Sequence, residues 1–83
     1  MNKIKHTKEH RKFGLKVAFF RKQRGLTQQR LADAMSIDQQ QISRIERGAI
    51  GVSLDRIIDL AAALGIKASL LFDFEGMIDD YVD

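Results

Sequence analysis

Apolar residues recur at intervals of three and four along most of this chain of 83 residues. Phe13, Val17 and Phe20 follow this helical spacing in the first long stretch, and the run from Leu54 to Leu64 keeps it. No stretch alternates apolar and polar residues convincingly, as a half-buried strand would. The sequence contains no proline, so glycines and capping residues must end the helices. These features restrict the chain to an all-α domain with short loops.

Capping residues and glycines divide this pattern into five predicted helices. The predicted ranges are 7–24, 28–35, 39–47, 53–64 and 68–72. Thr27, Asp38 and Ser53 stand where a side-chain oxygen can accept a hydrogen bond from the first turn of a helix. Thr7 is expected to cap the first helix in the same way.

The length predicts one small domain, which we divide into three parts. Residues 1–7 form a basic N-terminal arm, residues 8–72 the folded domain, and residues 73–83 a tail of acidic and apolar residues. A chain this short buries only about 60% of its extended surface, so a second subunit would usefully enlarge its core. Met77, Ile78, Tyr81 and Val82 share one stripe if the tail is helical. That stripe either covers its own domain or contacts a second subunit.

The net charge of +3 hides a strong asymmetry. Residues 1–56 carry 13 Lys and Arg against 5 Asp and Glu, a charge of +8. Residues 57–83 carry Lys67 alone against 6 acids, a charge of −5. A basic first part favours a polyanionic partner, although an ordinary solvated surface explains the charge equally well on its own.

The second and third predicted helices are separated by three residues, the spacing of two helices packed steeply across a tight turn. At about 100° per residue, the polar side chains of the third helix share one arc. They are Gln39, Gln40, Ser43, Arg44 and Arg47. Ile42, Ile45 and Ala49 lie on the opposite side of the same wheel. This helix is therefore predicted to bury one face and to present amide and guanidinium donors on the other.

The exposed set has the chemistry to read DNA. Glutamine pairs in two-point fashion with adenine N6 and N7, and arginine with guanine O6 and N7, in the major groove. Backbone N–H groups at the start of the second helix, with Gln28, offer a clamp for a phosphate. An ordinary solvated helix surface is the alternative, but the neighbouring helix, the turn and the basic charge favour DNA.

Two segments resemble a known family of regulators. The sequence GLTQQRLA begins at Gly25, and QISRIERG ends at Gly48. Both are similar to the phage-repressor, Cro and Xre-type helix-turn-helix regulators, and the resemblance covers roughly residues 13–72. It implies a five-helix, lambda-repressor-like domain with a short C-terminal extension, which binds operator DNA as a symmetric dimer.

The resemblance also implies a role for each matching residue. Gln28 would face phosphate, the base-facing set would be Gln39, Gln40 and Arg44, and Arg47 would face the backbone. Ser43 could touch either base or backbone.

The family also pairs an arginine late in the first helix with the glutamate of the IERG segment. These positions are Arg21 and Glu46, which we interpret as a structural ion pair. Ser36 stands where the family usually has glycine in the turn. A left-handed serine there would cost on the order of 1 kcal/mol.

Other function classes have less support. The sequence lacks cysteine, a phosphate-cradling glycine loop, and a histidine placed beside a nucleophile or paired carboxylates, so we expect no enzyme. His6 and His10 have a zinc spacing but no evident third ligand, so we expect no metal and no cofactor. No run approaches the length of a membrane span, and no small-molecule ligand is expected. A non-enzymatic interaction module, such as an antitoxin or adaptor, remains the alternative.

We therefore predict a cytoplasmic, sequence-specific transcriptional regulator whose partners are double-stranded DNA and a second copy of the chain. So short a chain leaves no room for a ligand-sensing domain, which favours a small repressor or a restriction–modification controller. The candidate dimer contacts come from the fourth and fifth helices and the tail. They are Val52, Leu71, Phe72, Phe74, Met77 and Ile78.

Overall fold

A computed structural model describes residues 5–77 of the chain. The helices are α1 (Thr7–Gln23), α2 (Gln28–Met35), α3 (Gln39–Glu46) and α4 (Leu54–Leu64), followed by a 3-10 helix (Ala68–Phe72). The described residues contain no strand, so the all-helical prediction is confirmed. The prediction of five helices is correct only in part, because the fifth element is a single short 3-10 helix.

Local capping explains where most of these helices begin. Thr27 accepts a hydrogen bond from the Arg30 N–H at 3.0 Å, and Ser53 accepts one from the Arg56 N–H at 3.1 Å. Asp38 caps α3 in the same way. The expected Thr7 cap is wrong, because α1 begins after His6 and has no side-chain cap.

The core lies where the four α-helices and the 3-10 helix meet. Each helix contributes the apolar face that its periodicity predicts. The buried apolar residues are Phe13, Val17, Leu31, Ala32, Ile42, Ile45, Leu60, Ala61, Leu64 and Leu71. No helix within residues 5–77 is long and apolar enough to cross a membrane.

Gly14 permits the close crossing of α1 and α3. A Cβ at this position would collide with the backbone carbonyl oxygens of Ile45 and Glu46. The crossing therefore brings the C-terminal end of α3 against α1. Arg21 follows Gly14 by two helical turns and lies on the same face of α1, close to that end of α3.

The turn between α2 and α3 has a left-handed residue at Ser36, with φ 56° and ψ 43°. The Ser36 N–H bonds to the carbonyl of Asp33, and the Ile37 N–H bonds to that of Ala32. These bonds close the C-terminal end of α2 in the way a glycine usually does. Serine thus adopts a conformation that is more usual for glycine.

One of the predicted dimer contacts is wrong. Leu71 is fully buried in the core of its own subunit, because the 3-10 helix turns it toward α1 and α4. Its neighbour Phe72 is 50% exposed, and its ring lies 5.3 Å from that of Phe13. Ile78 lies outside the described residues, as does most of the predicted tail stripe.

Candidate nucleic-acid interface

Helix α3 has one buried face and one exposed face. Ile42 and Ile45 are 0% and 2% exposed and hold the helix against the core. Gln40 and Arg44 are exposed on the opposite face. Since the helix begins at Gln39, directly after its cap Asp38, and keeps regular spacing, these two side chains lie on the arc that the sequence predicted. Their amide and guanidinium groups are therefore accessible to a partner.

Gln39 lies on the same arc but is half-buried, because it is held by α2. Its Nε2 donates a hydrogen bond to Oε1 of Gln28 at 2.6 Å. This bond joins the first residue of α3 to the first residue of α2. The two helix starts are therefore fixed relative to each other at the candidate interface.

Arg21 and Glu46 form a two-point ion pair. The guanidinium donates from Nε to Oε2 at 2.6 Å and from Nη2 to Oε1 at 3.1 Å. A third donor, Nη1, bonds to the carbonyl oxygen of Leu26 at 2.8 Å. Arg21 is only 9% exposed, so its charge depends on these acceptors. The pair joins α1, the loop before α2 and the end of α3.

Gln28 connects this ion pair to Gln39. Its Nε2 donates to Oε1 of Glu46 at 2.9 Å, while its own Oε1 accepts from Gln39. The family resemblance implied a phosphate-facing role for Gln28 and gave no sign of this bridge. The link was missed because the bonded residues are 11 and 18 positions apart in sequence, beyond any helical periodicity.

Ser43 and Arg47 complete the predicted set. Ser43 is half-buried, and Arg47 is exposed immediately after the last residue of α3. The Arg47 Nε donates to the carbonyl oxygen of Ser43 at 3.3 Å, which folds the arginine back along its own helix. Arg47 is therefore placed at the rim of the exposed face.

Large apolar side chains are also exposed on α4 and on the 3-10 helix. Leu54 and Ile58 are 70% and 52% exposed, and they are four residues apart on one face of α4. Phe72 lines a cleft with Val52 and Phe74, and these last two are half-buried. Met77 is also half-buried. Among residues 5–77, no group of three or more His, Asp or Glu side chains is arranged to hold a metal ion.

Comparison with known proteins identifies relatives of this fold. The helix-turn-helix family model matches residues 17–71. The restriction-modification controller protein C.AhdI from Aeromonas hydrophila is 39% identical, with a TM-score of 0.73 over 75% of this chain and 94% of that one.

Two further solved structures are similar over much of their length. The hypothetical transcription factor NHTF from Neisseria is 29% identical, with a TM-score of 0.75 over 78% of this chain and 73% of that one. The clp gene regulator ClgR from C. glutamicum is 28% identical, with a TM-score of 0.71 over 78% of this chain and 82% of that one. Comparison with curated protein sequences gave no significant match.

Proposed function

This chain belongs to the helix-turn-helix family of DNA-binding transcription regulators, and we propose that it recognises a specific duplex site by placing α3 in the major groove. The exposed arc of α3 is the observation that carries the proposal. Gln40 and Arg44 project from a helix whose other face is fixed by the buried Ile42 and Ile45. Glutamine and arginine make two-point contacts with adenine and guanine, so a rigid helix presenting both can read base edges.

Contacts to phosphate would set the angle at which α3 enters the groove. Thr27 satisfies the N–H of Arg30, which leaves the first backbone N–H groups of α2 for an anion. Gln28 keeps a second N–H on the nitrogen that bonds to Glu46. Arg47 lies at the other end of α3 and is assigned to the DNA backbone on that side, and Ser43, one turn earlier, is within the set that could touch either base or backbone. These contacts position the protein without reading sequence.

The apolar surface is the proposed contact between two copies of the chain. Leu54 and Ile58 are large and exposed, and Phe72 exposes half of its surface beside the cleft. Contiguous exposed apolar patches are typical of association sites. A two-fold dimer would present two α3 helices about 34 Å apart, matching two half-sites on one face of a near-palindrome.

A small controller of transcription fits these features. C.AhdI is described as a restriction-modification controller protein, and its identity with this chain is 39%. We assign this chain to the same kind of regulator, with a homodimer bound to an operator. The alternative of an antitoxin or adaptor makes no use of glutamine and arginine on one exposed arc, and so explains less of the structure.

Selection of bound duplexes from a random pool tests the proposal directly. The full chain, at moderate salt, should enrich a near-palindrome with half-site centres about 10 base pairs apart. Affinity for the selected site should fall steeply as salt rises, because phosphate contacts release counterions. Sedimentation of the protein–DNA complex should give two chains per site. Absence of any enriched sequence would overturn the proposal and favour the adaptor.

A further inference from the structure

Four side chains form one continuous chain of hydrogen bonds from α1 to the exposed face of α3. Arg21 donates to Glu46, Gln28 donates to Glu46, and Gln39 donates to Gln28. Arg21 is 9% exposed, and the Glu46 side chain is 7% exposed. Gln28 and Gln39 are half-buried, so the chain runs from the interior to the surface. Its outer end is a residue of the proposed base-reading set.

The direction of every bond in this chain is fixed by chemistry. An ionised carboxylate only accepts hydrogen bonds, and Glu46 is paired with a guanidinium that only donates. The Gln28 atom that lies 2.9 Å from Glu46 must therefore be its nitrogen. Its oxygen then faces Gln39, so the Gln39 atom at 2.6 Å must also be nitrogen. The charge of Glu46 thus determines which end of the Gln39 amide points inward.

We propose that Glu46 is a specificity-determining residue, because it sets which purine Gln39 reads through the direction of this bonded chain. The inference rests on the proposed function. With its nitrogen held by Gln28, Gln39 keeps one N–H donor and one carbonyl acceptor for a base. Adenine presents the complementary pair, an acceptor at N7 and a donor at N6. A reversed amide would present two N–H donors, which match the two acceptors N7 and O6 of guanine.

Glu46→Gln tests whether the charge of Glu46 sets the direction of these hydrogen bonds, because it removes the charge and keeps the length of the side chain. Arg21 Nε, whose bond to Oε2 is the shorter at 2.6 Å, would retain the oxygen of the new amide, so that the amide nitrogen would face Gln28 and only the 3.1 Å contact from Nη2 would be lost. Gln28 and then Gln39 would both reverse. We expect the preference for adenine over guanine to fall about tenfold at one base pair of the half-site, with smaller changes elsewhere. That base pair is identified independently as the one where Gln39→Ala loses discrimination.

A double exchange tests whether the changed base preference comes from the direction of the hydrogen bonds or from lower stability. In Gln28→Glu combined with Glu46→Gln, the carboxylate moves one position along the chain and the total charge is unchanged. The residue at position 28 would again accept from Gln39, which restores the original direction. We expect the adenine preference to return, even though a carboxylate near phosphate weakens binding to every duplex. A merely structural role for Glu46 predicts no such return.

Gln28→Met provides a test that leaves the Arg21–Glu46 ion pair intact. Methionine cannot hold the Gln39 amide, so discrimination at the same base pair should fall while the fold is kept. Gln29→Met is the matched control, because Gln29 is exposed on the same helix and its side chain donates to Asp33 instead of to the chain from Arg21 to Gln39. It should leave every base preference unchanged.

The measurement is the ratio of dissociation constants for duplexes that differ by one purine, taken where circular dichroism shows each variant folded. The inference is supported if the adenine preference is lost in Glu46→Gln and in Gln28→Met and returns in the double exchange. If neither variant that carries Glu46→Gln folds, an unchanged ratio in Gln28→Met overturns the inference, and a lost adenine preference supports the bonded chain through which Glu46 acts. Two results overturn the inference, provided that the wild-type chain distinguishes adenine from guanine. One is an unchanged ratio of dissociation constants in the folded single variants, and the other is an adenine preference that does not return in the double exchange. A wild-type chain without selectivity overturns the proposed function instead.

Discussion

Two exposed surfaces within residues 5–77 are built in opposite ways. The α3 surface consists of polar side chains, several of which are tied to one another and to the buried Arg21. The surface at α4 exposes Leu54 and Ile58, which are 70% and 52% exposed and lie outside the buried core. Side chains that are hydrogen-bonded to the buried Arg21 stabilise the folded state, whereas exposed apolar side chains add little to the free energy of unfolding. Mutations should therefore reveal stability effects at the first surface and association effects at the second.

Arg21→Ala should have the largest effect on stability. It removes three donors from a buried site and leaves the Glu46 carboxylate without its charge partner. Breaking such a pair typically costs about 3 to 5 kcal/mol of unfolding free energy. Chemical denaturation of the free protein gives the value.

Arg24→Ala is the matched control for this loss. Arg24 is also near the end of α1 and donates to the carbonyl oxygen of Gly65, but it is exposed. Exposed contacts of this kind are worth about 1 kcal/mol or less. If both variants lost the same unfolding free energy, the hydrogen bonds that join Arg21 to the α3 surface would not be a special source of stability.

The sequence predicted the elements whose signals are local. Thr27 and Asp38 mark the starts of α2 and α3, because a capping side chain acts on residues two or three positions away. The period of 3.6 then assigns Gln40 and Arg44 to the exposed face. Ser36 was recognised as the left-handed turn residue only through the family resemblance, and the structure has it in that conformation at the end of α2.

The parts that escaped prediction depend on contacts between distant segments. The Gln28 bridge exists only because α1, α2 and α3 meet at one point, and no periodicity of a single helix reports that. Leu71 and Phe72 are adjacent apolar residues, and only the path of the 3-10 helix decides that the first is buried and the second exposed. Ala49 was placed on the buried side of the wheel of the third helix, but α3 ends at Glu46 and Ala49 is exposed.

Leu71→Ala should mainly lower the stability of the subunit, whereas Phe72→Ala should mainly weaken its self-association. Leu71 is fully buried, and its truncation should lower the unfolding free energy by about 3 kcal/mol. Phe72 is half-exposed, so its truncation should cost only about 1 kcal/mol while weakening self-association. Denaturation and sedimentation velocity measure the two effects.

The outcome for Phe72 decides the assignment of the apolar surface. A monomer–dimer equilibrium unchanged in Phe72→Ala and also in Leu54→Ala would place the subunit contact elsewhere. Leu54 is a suitable second site because it is 70% exposed and its removal should barely affect the fold.

Arg44→Ala should act on binding and not on stability. Arg44 is exposed on α3, so the free protein should unfold as before. Loss of a two-point contact to guanine should cost about 1 to 3 kcal/mol on the selected site. Lys67→Ala removes the same charge from the exposed link between α4 and the 3-10 helix and should change binding little. If Arg44→Ala weakens all sequences equally, the arginine contacts phosphate only.

Ser36→Gly should have the smallest effect and should raise stability. Glycine relieves the left-handed strain at φ 56°, but it also adds freedom to the unfolded chain, so the net gain should be about 0.5 kcal/mol. This corresponds to a rise in Tm of about 2 to 4 °C. Ser36→Ala keeps the Cβ and should give no gain. DNA affinity should stay constant in both, because buried residues and the Gln28–Gln39 bond hold α3 in place. A change in affinity with Ser36→Gly would mean that the turn itself sets the angle of α3.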